Sequence, residues 1–448
     1  MRRESETLVV GAGISGLAYA HARGPDADLF VLEGSDRAGG LVRTETEGRL
    51  RWEEGPEALQ SGNAEVETLL RELGLATQEV PSDARRRWVV HRGRLVDVPM
   101  GPKDLLRTPL MSARGKLRAI TERWRDPKTA LDGSVADFVR HRLGEEILAA
   151  FVDPLISGIY AGDPDQISLR GAFPDFARMV EEHGSLMAAM AARRGRPKPG
   201  LLKPKGGMSS LADALAATLG DRLLLSTPVS SLHRERSTWV ATTAGGTLAA
   251  PTAILATSAR ASAYLLRDCA PDAARELGTI EGENVVSVAH LWPRERIAHR
   301  LDGFGYLVPS RERLHHLGTL FSSSIDPASC PPDRVLLRTM LGGARDPGVV
   351  DRYDDEILAT LVSDLRPLLG LEGRPEWSRI VRYRGALPRY DLDHPRRIAA
   401  IDSALPPGLS ILGNFHRGIG LTTLIPAART LSRSHGGAAS TVLRTRGG

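Results

Sequence analysis

The sequence predicts an α/β fold, and three observations carry that prediction. The run TLVV (7–10) is apolar and β-branched, as a strand buried on both faces should be. It leads into Gly11, Gly13 and Gly16, set in a small-residue stretch, ISGLAYAHA, that reads as a helix over 14–22. The segment ADLFVLE (27–33) then reads as a second strand and closes a βαβ unit.

The later elements follow in chain order. VADFVRHRLGEEILAAFV (135–152) places Val135, Phe138, Val139, Leu143, Ile147, Ala150 and Phe151 on one helical stripe. ARRGRPKPGLLKPKGG (192–207) is rich in Pro, Gly and cations and reads as a loop at a boundary. LLLSTPVSSLHRE and STWVATTAGGTLAAPTAILAT read as strands joined by turns, in the style of the first segment. Residues 285–341 read as strands and 353–369 as a helix. The stretch LSILGNFHRGIGLTTLIPAARTLSRS reads as strand, Gly-rich turn and helix. The first domain is therefore expected to be discontinuous: 1–81, 201–265 and 376–448. A mixed α+β substrate domain (82–98 with 266–375) and a helical domain (99–200) complete the expected organisation.

Composition narrows the function classes. The 448 residues suit two or three domains. An aromatic content of 5% argues against a base-stacking surface, so no nucleic-acid partner is expected. The net charge of +5, nearly all from Arg, suits an acidic ligand or an anionic membrane face without requiring either. Cys269 and Cys330 give neither a disulfide framework nor a zinc spacing, so no metal site is expected and a reducing cytoplasm fits. The start, MRRESETLVV, lacks a long apolar region and a small-residue cleavage site, and no run of about 18 apolar residues occurs. Any membrane contact is thus expected to be peripheral, on the cytoplasmic face.

The glycine turn points to a dinucleotide. Gly11 permits a tight turn, Gly13 lets backbone approach a pyrophosphate, and Gly16 lets helix and strand pack closely. With Ala12, Ile14 and Ser15 they place a helix N-terminus against the anion. Glu33 ends the next strand, 22 residues after Gly11, and can accept from ribose hydroxyls. That acid disfavours a 2′-phosphate.

EGSDRAGGLVRT (33–44) adds Gly34, Arg37, Gly39, Gly40 and Leu41, and resembles the second fingerprint of the FAD amine-oxidase-like superfamily. EEGPEA (53–58), with Gly55, Pro56, Glu57 and Ala58, resembles the Gly-Pro turn those proteins place beside the flavin. LGNFHRGIGL (412–421), with Gly413, Asn414, Ile419, Gly420 and Leu421, resembles their C-terminal flavin segment. Val229 matches a residue whose backbone contacts adenine. The resemblance implies FAD as cofactor and a Rossmann-like FAD domain of the amine-oxidase (p-hydroxybenzoate hydroxylase-like) type.

FVDPLISGIYAGDPDQISLRGAFP (151–174) narrows the resemblance to the protoporphyrinogen and coproporphyrinogen oxidases of haem synthesis. LLKPKGGMSSLADAL (201–215), GFGYLVPS (303–310), LGTLFSSSIDP (317–327) and ALPRYDLDH (386–394) are similar to further segments of that family. The resemblance implies removal of six electrons from a porphyrinogen, with oxygen reoxidising the flavin to give hydrogen peroxide. It also implies a pocket: Arg87 for a propionate, Phe304, Leu307, Leu320 and Met340 as apolar walls, and Gly158 with its backbone near flavin and ring. Relatives commonly carry Asp-Cys where this chain has Thr423-Leu424, which leaves the contacts of that segment open.

Several alternatives stay open. The cluster Arg85, Arg86, Arg87, Arg92 and Arg94 suits a substrate with two carboxylates or four, hence protoporphyrinogen or coproporphyrinogen III. More distant are a flavin amine oxidase, a carotenoid desaturase, and a flavin-binding relative without turnover. PMGPKDLLRTPLMSARGKLRAITERWR (99–125) interleaves Arg107, Arg114, Lys116, Arg118, Arg123 and Arg125 with Leu110, Leu117, Ile120 and Trp124. It reads either as a basic amphipathic membrane contact or as a helix packed on its own domain. A homodimer is one state the resemblance allows.

Overall fold

Five parallel strands form the sheet that carries the amino-terminal motif. Their order is Leu223–Leu224, Leu29–Leu32, Thr7–Val10, Thr252–Leu255 and Leu409–Ile411. In this computed structural model the described residues are 2–99, 101–124, 130–186, 188 and 200–444. The sheet gathers three distant stretches of the chain; its strands are short and mostly apolar, and all but the half-buried edge strand Leu223–Leu224 are largely buried, as a two-faced parallel sheet requires. The helices Ile14–Ala22, Ser209–Ala217 and Leu421–Arg444 cover one face, with Leu17, Tyr19, Leu211, Leu215 and Ile425 in one core. A four-stranded sheet and the helices Ala259–Leu266 and Pro271–Gly278 close the other face around Trp239.

A seven-stranded sheet forms the second body. Its order is Trp377–Pro388, Gly282–Pro293, Arg334–Gly342, His316–Leu320, Gly305–Leu307, Arg87–His91 and Arg94–Asp97. Residues 377–388, grouped by sequence with the dinucleotide domain, pair here with Gly282–Pro293. The partner of a strand is set by long-range register, which local composition does not encode. The helix Asp354–Leu369 packs on the back of this sheet through Ile357, Leu361, Leu365 and Leu369.

Residues 101–186 are mainly helical. The stripe over 135–152 is continuous in sequence but broken in space. Helix Val135–Arg142 ends before Gly144, whose φ of +96° stops it. The chain restarts at Glu145–Ile147, passes through a π-helical turn at Leu148–Val152, and continues as helix Asp153–Tyr160. Val135, Phe138 and Val139 are buried in one core with Leu143 and Ile147 packed against it, whereas Ala150 and Phe151, expected on the same stripe, pack with Val89 and Leu110 instead. Most of the Pro/Gly/basic loop lies outside the described residues; its end, Leu201–Pro204, is a strand between Leu59–Gln60 and Thr77–Glu79. No helix among the described residues is long and apolar enough to cross a membrane.

Candidate functional site

The three glycine-bearing turns meet at the carboxyl ends of the parallel strands, where open α/β sheets bind ligands. Gly11 has φ +104°, and a Cβ there would lie 2.5 Å from the Ala256 carbonyl oxygen. A Cβ on Gly16 would lie 2.1 Å from the Gly11 oxygen. A Cβ on Gly13 would meet nothing within 4 Å. Gly13 also caps the helix Ile14–Ala22 with no side-chain hydrogen bond. Ile14 and Ser15 open the helix with backbone N–H groups that have no acceptor within it, the donor set a pyrophosphate needs.

Glu33 binds this turn directly. Its Oε2 accepts the Ala12 N–H at 2.7 Å, and Oε1 accepts from Ser35 N at 3.0 Å and Oγ at 2.8 Å. Oε2 keeps acceptor capacity for a hydroxyl. The backbone of Ser226 and Thr227 bonds to Ser35 and Glu33, which brings Pro228, the residue before Val229, beside Gly34. Gly39 bridges to Gly13, and Gly40 sits against the Gly13 Cα. Arg37 donates to the carbonyls of Ala38 and Gly40, so it shapes this turn from within, and Leu41 is exposed at its tip. A Cβ on Gly55 would lie 1.9 Å from the Leu41 oxygen, so the Gly55-Pro56 turn rests on the same loop.

The carboxy-terminal turn completes the crevice. Leu412 N–H donates to Leu255, and Tyr390 Oη donates to the Asn414 carbonyl at 2.7 Å while accepting the Gly418 N–H at 2.8 Å. Burial raises the Tyr390 phenol, which stays a neutral clasp between Gly413 and Ile419. Asn63 Nδ2 donates to Thr422 O and ties the start of helix Leu421–Arg444, just after Gly420, to residues 59–63. An open glycine cradle, a ribose-height carboxylate and converging backbone donors fit a flavin dinucleotide.

The expected substrate residues come together on one face of the seven-stranded sheet. Arg87, Gly305, Leu320 and Arg338 are register partners across four strands. The next row on the same face holds Val89, Leu307, Gly318 and Met340. With strands about 4.8 Å apart, Arg87 stands on the order of 14 Å from Arg338 along the first row. In the middle of this face Gly305 and Gly318 alternate with Leu320 and Leu307, so two side chains stand where four could. Gly158, exposed on helix Asp153–Tyr160, lies over it so closely that a Cβ there would be 2.6 Å from Leu307 Cδ2. Phe304, Leu320 and Ala58 pack together at the edge, and the Arg87 guanidinium lies 5.2 Å from the Phe304 ring centroid.

The two ends of this slot differ. At one end Arg338 donates to the carbonyls of Glu53 and Gly55, so the wall of the slot is bonded to the Gly-Pro turn. At the other, burial pulls the Arg87 guanidinium below its ordinary value; its Nη1 donates to the Arg85 carbonyl at 3.2 Å, and no carboxylate among the described residues pairs with it. Of its neighbours in sequence, Arg85 is held by Glu79, and Arg86 by Asp97 and Asp302.

Sequence motifs assign Glu57 to the cofactor, but its buried side chain pairs with Lys203 at 3.2 Å and Arg338 at 3.4 Å. Sequence also missed Arg338 and Lys203. Their one signal was a cation in the interior of a short, mainly apolar strand, the second Arg of RVLLRTMLG and the Lys of LLKP.

Comparison with known proteins places this geometry. The model of the family "Flavin containing amine oxidoreductase" matches residues 14–416. The chloroplastic protoporphyrinogen oxidase of Oryza sativa is 32% identical over 470 residues, covering 95% of this chain and 87% of that one. The coproporphyrinogen III oxidase of Propionibacterium freudenreichii is 31% identical over 481 residues, covering 94% and 89%. A solved candidate protoporphyrinogen oxidase from Exiguobacterium superposes with a TM-score of 0.81 at 25% identity, covering 96% of this chain and 98% of that one.

Proposed function

The chain belongs to the flavin-containing amine oxidoreductase family, and from that premise we propose that it is an FAD-dependent porphyrinogen oxidase of haem biosynthesis. Its substrate is protoporphyrinogen IX and its product protoporphyrin IX. Molecular oxygen is the final acceptor: three O2 take the six electrons and six protons and leave as three H2O2.

The observation that carries this reading is the slot. A face with two central glycines, walled by Leu307, Leu320 and Met340, runs from the flavin-side turn to an arginine that no described carboxylate neutralises. An apolar macrocycle with carboxylates at one rim has this shape and charge distribution. Bound FAD supplies the two-electron acceptor. The protein's part is position. Arg87, its plane fixed against Phe304, takes a rim carboxylate by its planar fork. The apolar walls exclude water from the ring faces, and Gly158 lets the helix Asp153–Tyr160 rest directly on Leu307 at the wall of the slot.

The name of the Propionibacterium relative favours a second reading, coproporphyrinogen III. The ion pairs weigh against it, because Arg85 and Arg86 are already neutralised and four carboxylates would need more free cations. Anaerobic mixing of the flavin-loaded protein with each porphyrinogen separates the readings. Protoporphyrinogen should bleach the flavin at the lower concentration. Bleaching by neither would refute both.

Peripheral membrane contact completes the proposal. Leu117, Ile120 and Trp124 are 62%, 48% and 67% exposed, and Leu106 is exposed beside them. Arg114 is exposed in the same segment and Arg107 lines a cavity, whereas Leu110 is buried, and Lys116 and Arg118 bond to backbone carbonyls. Arg125 and the Arg123 side chain lie outside the described residues. Co-sedimentation with anionic vesicles at low salt should pellet the protein, and Trp124→Ser should weaken it.

A further inference from the structure

A second cation faces Arg87 across a cavity at the end of the slot. The cavity is about 410 Å³ and lies between the strands Arg87–His91 and Arg94–Asp97 and the short helix Pro102–Arg107. Val96, Val98, Pro99 and Pro109 line its apolar part. Its size is at the low end for ligand pockets, which suits one edge of a macrocycle better than the whole ring.

Its charges are unequal in a telling way. Arg86 and Asp97, both at the cavity, neutralise each other, and Arg86 also holds Asp302. Asp104 lines the cavity, yet it forms no ion pair with Arg87 or Arg107 among the described residues. Arg87, from the strand, and Arg107, from the short helix, are therefore two lining guanidiniums that no carboxylate among the described residues pairs with. The buried Thr108 is also at the cavity. Its hydroxyl oxygen accepts the Leu110 N–H at 3.3 Å, and its hydrogen remains to donate.

We propose that Arg107, with Thr108, is a second carboxylate anchor, and that this cavity takes the carboxylate-bearing edge of the substrate between Arg107 and Arg87. The assignment rests on the porphyrinogen reading above and extends it to specificity. Two guanidiniums and a hydroxyl match two adjacent carboxylates. A tetracarboxylate would have to leave its other pair at the far end of the slot, where Arg338 is already bonded to backbone and to Glu57. Arg107 thus favours the dicarboxylate.

Steady-state kinetics of Arg107→Ala, Arg107→Lys and Arg107→Glu test this, each variant checked for flavin content and melting temperature against the wild type. For protoporphyrinogen, KM should rise about tenfold in Arg107→Ala and further in Arg107→Glu, with kcat changed less than threefold. Arg107→Lys should recover part of the loss. The wild-type preference over coproporphyrinogen should shrink in Arg107→Ala. Arg300→Ala, which removes an exposed charge elsewhere, should leave KM unchanged. Unchanged KM in the Arg107 variants, or an equal rise in Arg300→Ala, would overturn the anchor while leaving the oxidase reading intact. If the wild type oxidises no porphyrinogen, the oxidase reading itself has failed.

Discussion

Gly13 and Gly16 stand three residues apart and demand glycine for different reasons. Gly16 serves the fold, because its Cβ would sit 2.1 Å from the Gly11 carbonyl oxygen. Gly16→Ala should therefore cost about 1–3 kcal/mol in urea unfolding even without flavin. Gly13 serves the ligand: its φ of −67° is open to any residue, and its Cβ would meet nothing. Gly13→Ala should leave apoprotein stability within about 0.5 kcal/mol yet weaken flavin binding at least tenfold, about 1.4 kcal/mol, as read by titration of the apoprotein. Arg87→Ala removes a charge-assisted hydrogen bond worth about 1.5–3 kcal/mol, so KM for the porphyrinogen should rise roughly ten- to a hundredfold. The glycine turns were legible because each needs only a few consecutive residues. Arg338 was not, because its partners Glu53, Gly55 and Glu57 lie some 280 residues away in the chain.

The strands of the seven-stranded sheet show what alternation can and cannot reveal. Period two marks Leu336, Arg338 and Met340 as one face and Leu337, Thr339 and Leu341 as the other, but it does not say which face is covered by what. The back face carries an oriented hydrogen-bond chain. Trp292 Nε1 donates to His290 Nδ1 at 2.7 Å, and His290 Nε2 then donates to Thr339 at 3.0 Å. Thr339 donates to Thr319, Thr319 to Tyr306, and Tyr306 to His316 Nε2 at 2.9 Å. His316 Nδ1 donates to Asp364 at 3.2 Å. Each member has one partner on either side only if both imidazoles are neutral. Burial holds His290 down to about 3 and depresses His316 as well. In the unfolded chain both take a proton near pH 6.5. Stability is therefore flat above pH 6.5 and falls as pH drops below it, because the unfolded state binds the protons. Between pH 6.5 and 5, His290 alone should cost about 2 kcal/mol. Urea midpoints should show that fall, and His290→Gln should flatten part of it. No local pattern announces this chain, since its links from His290 to Thr339 and from His316 to Asp364 join residues 49 and 48 apart in sequence.

At the scale of the whole molecule, one buried ion cluster joins the flavin-side turn to the substrate sheet. Lys203 Nζ lies 3.1 Å from Glu53, 3.2 Å from Glu57 and 3.8 Å from Asp326. Arg338 pairs with Glu57, and Arg51 with Asp326 at 2.8 Å. Three cations thus face three carboxylates. Burial alone would lower Lys203, but Glu57, Glu53 and Asp326 outweigh it and hold the ammonium above its ordinary value. Burial would likewise raise Glu57, but Lys203 and Arg338 hold it below. Lys203→Met leaves buried carboxylates without their central cation and should cost about 3–5 kcal/mol. The position of the cluster gives that loss a second consequence. Glu53 and Glu57 flank Gly55-Pro56, so disturbing them shifts the turn on which the flavin-facing loop rests. Lys203→Met should therefore release flavin at a lower urea concentration than wild type. Lys203→Met combined with Glu57→Gln, which restores the charge balance, should regain part of both stability and flavin retention. If the single variant lost stability while flavin fluorescence and tryptophan fluorescence kept the wild-type spacing of their midpoints, the cluster would brace the sheets without positioning the cofactor turn.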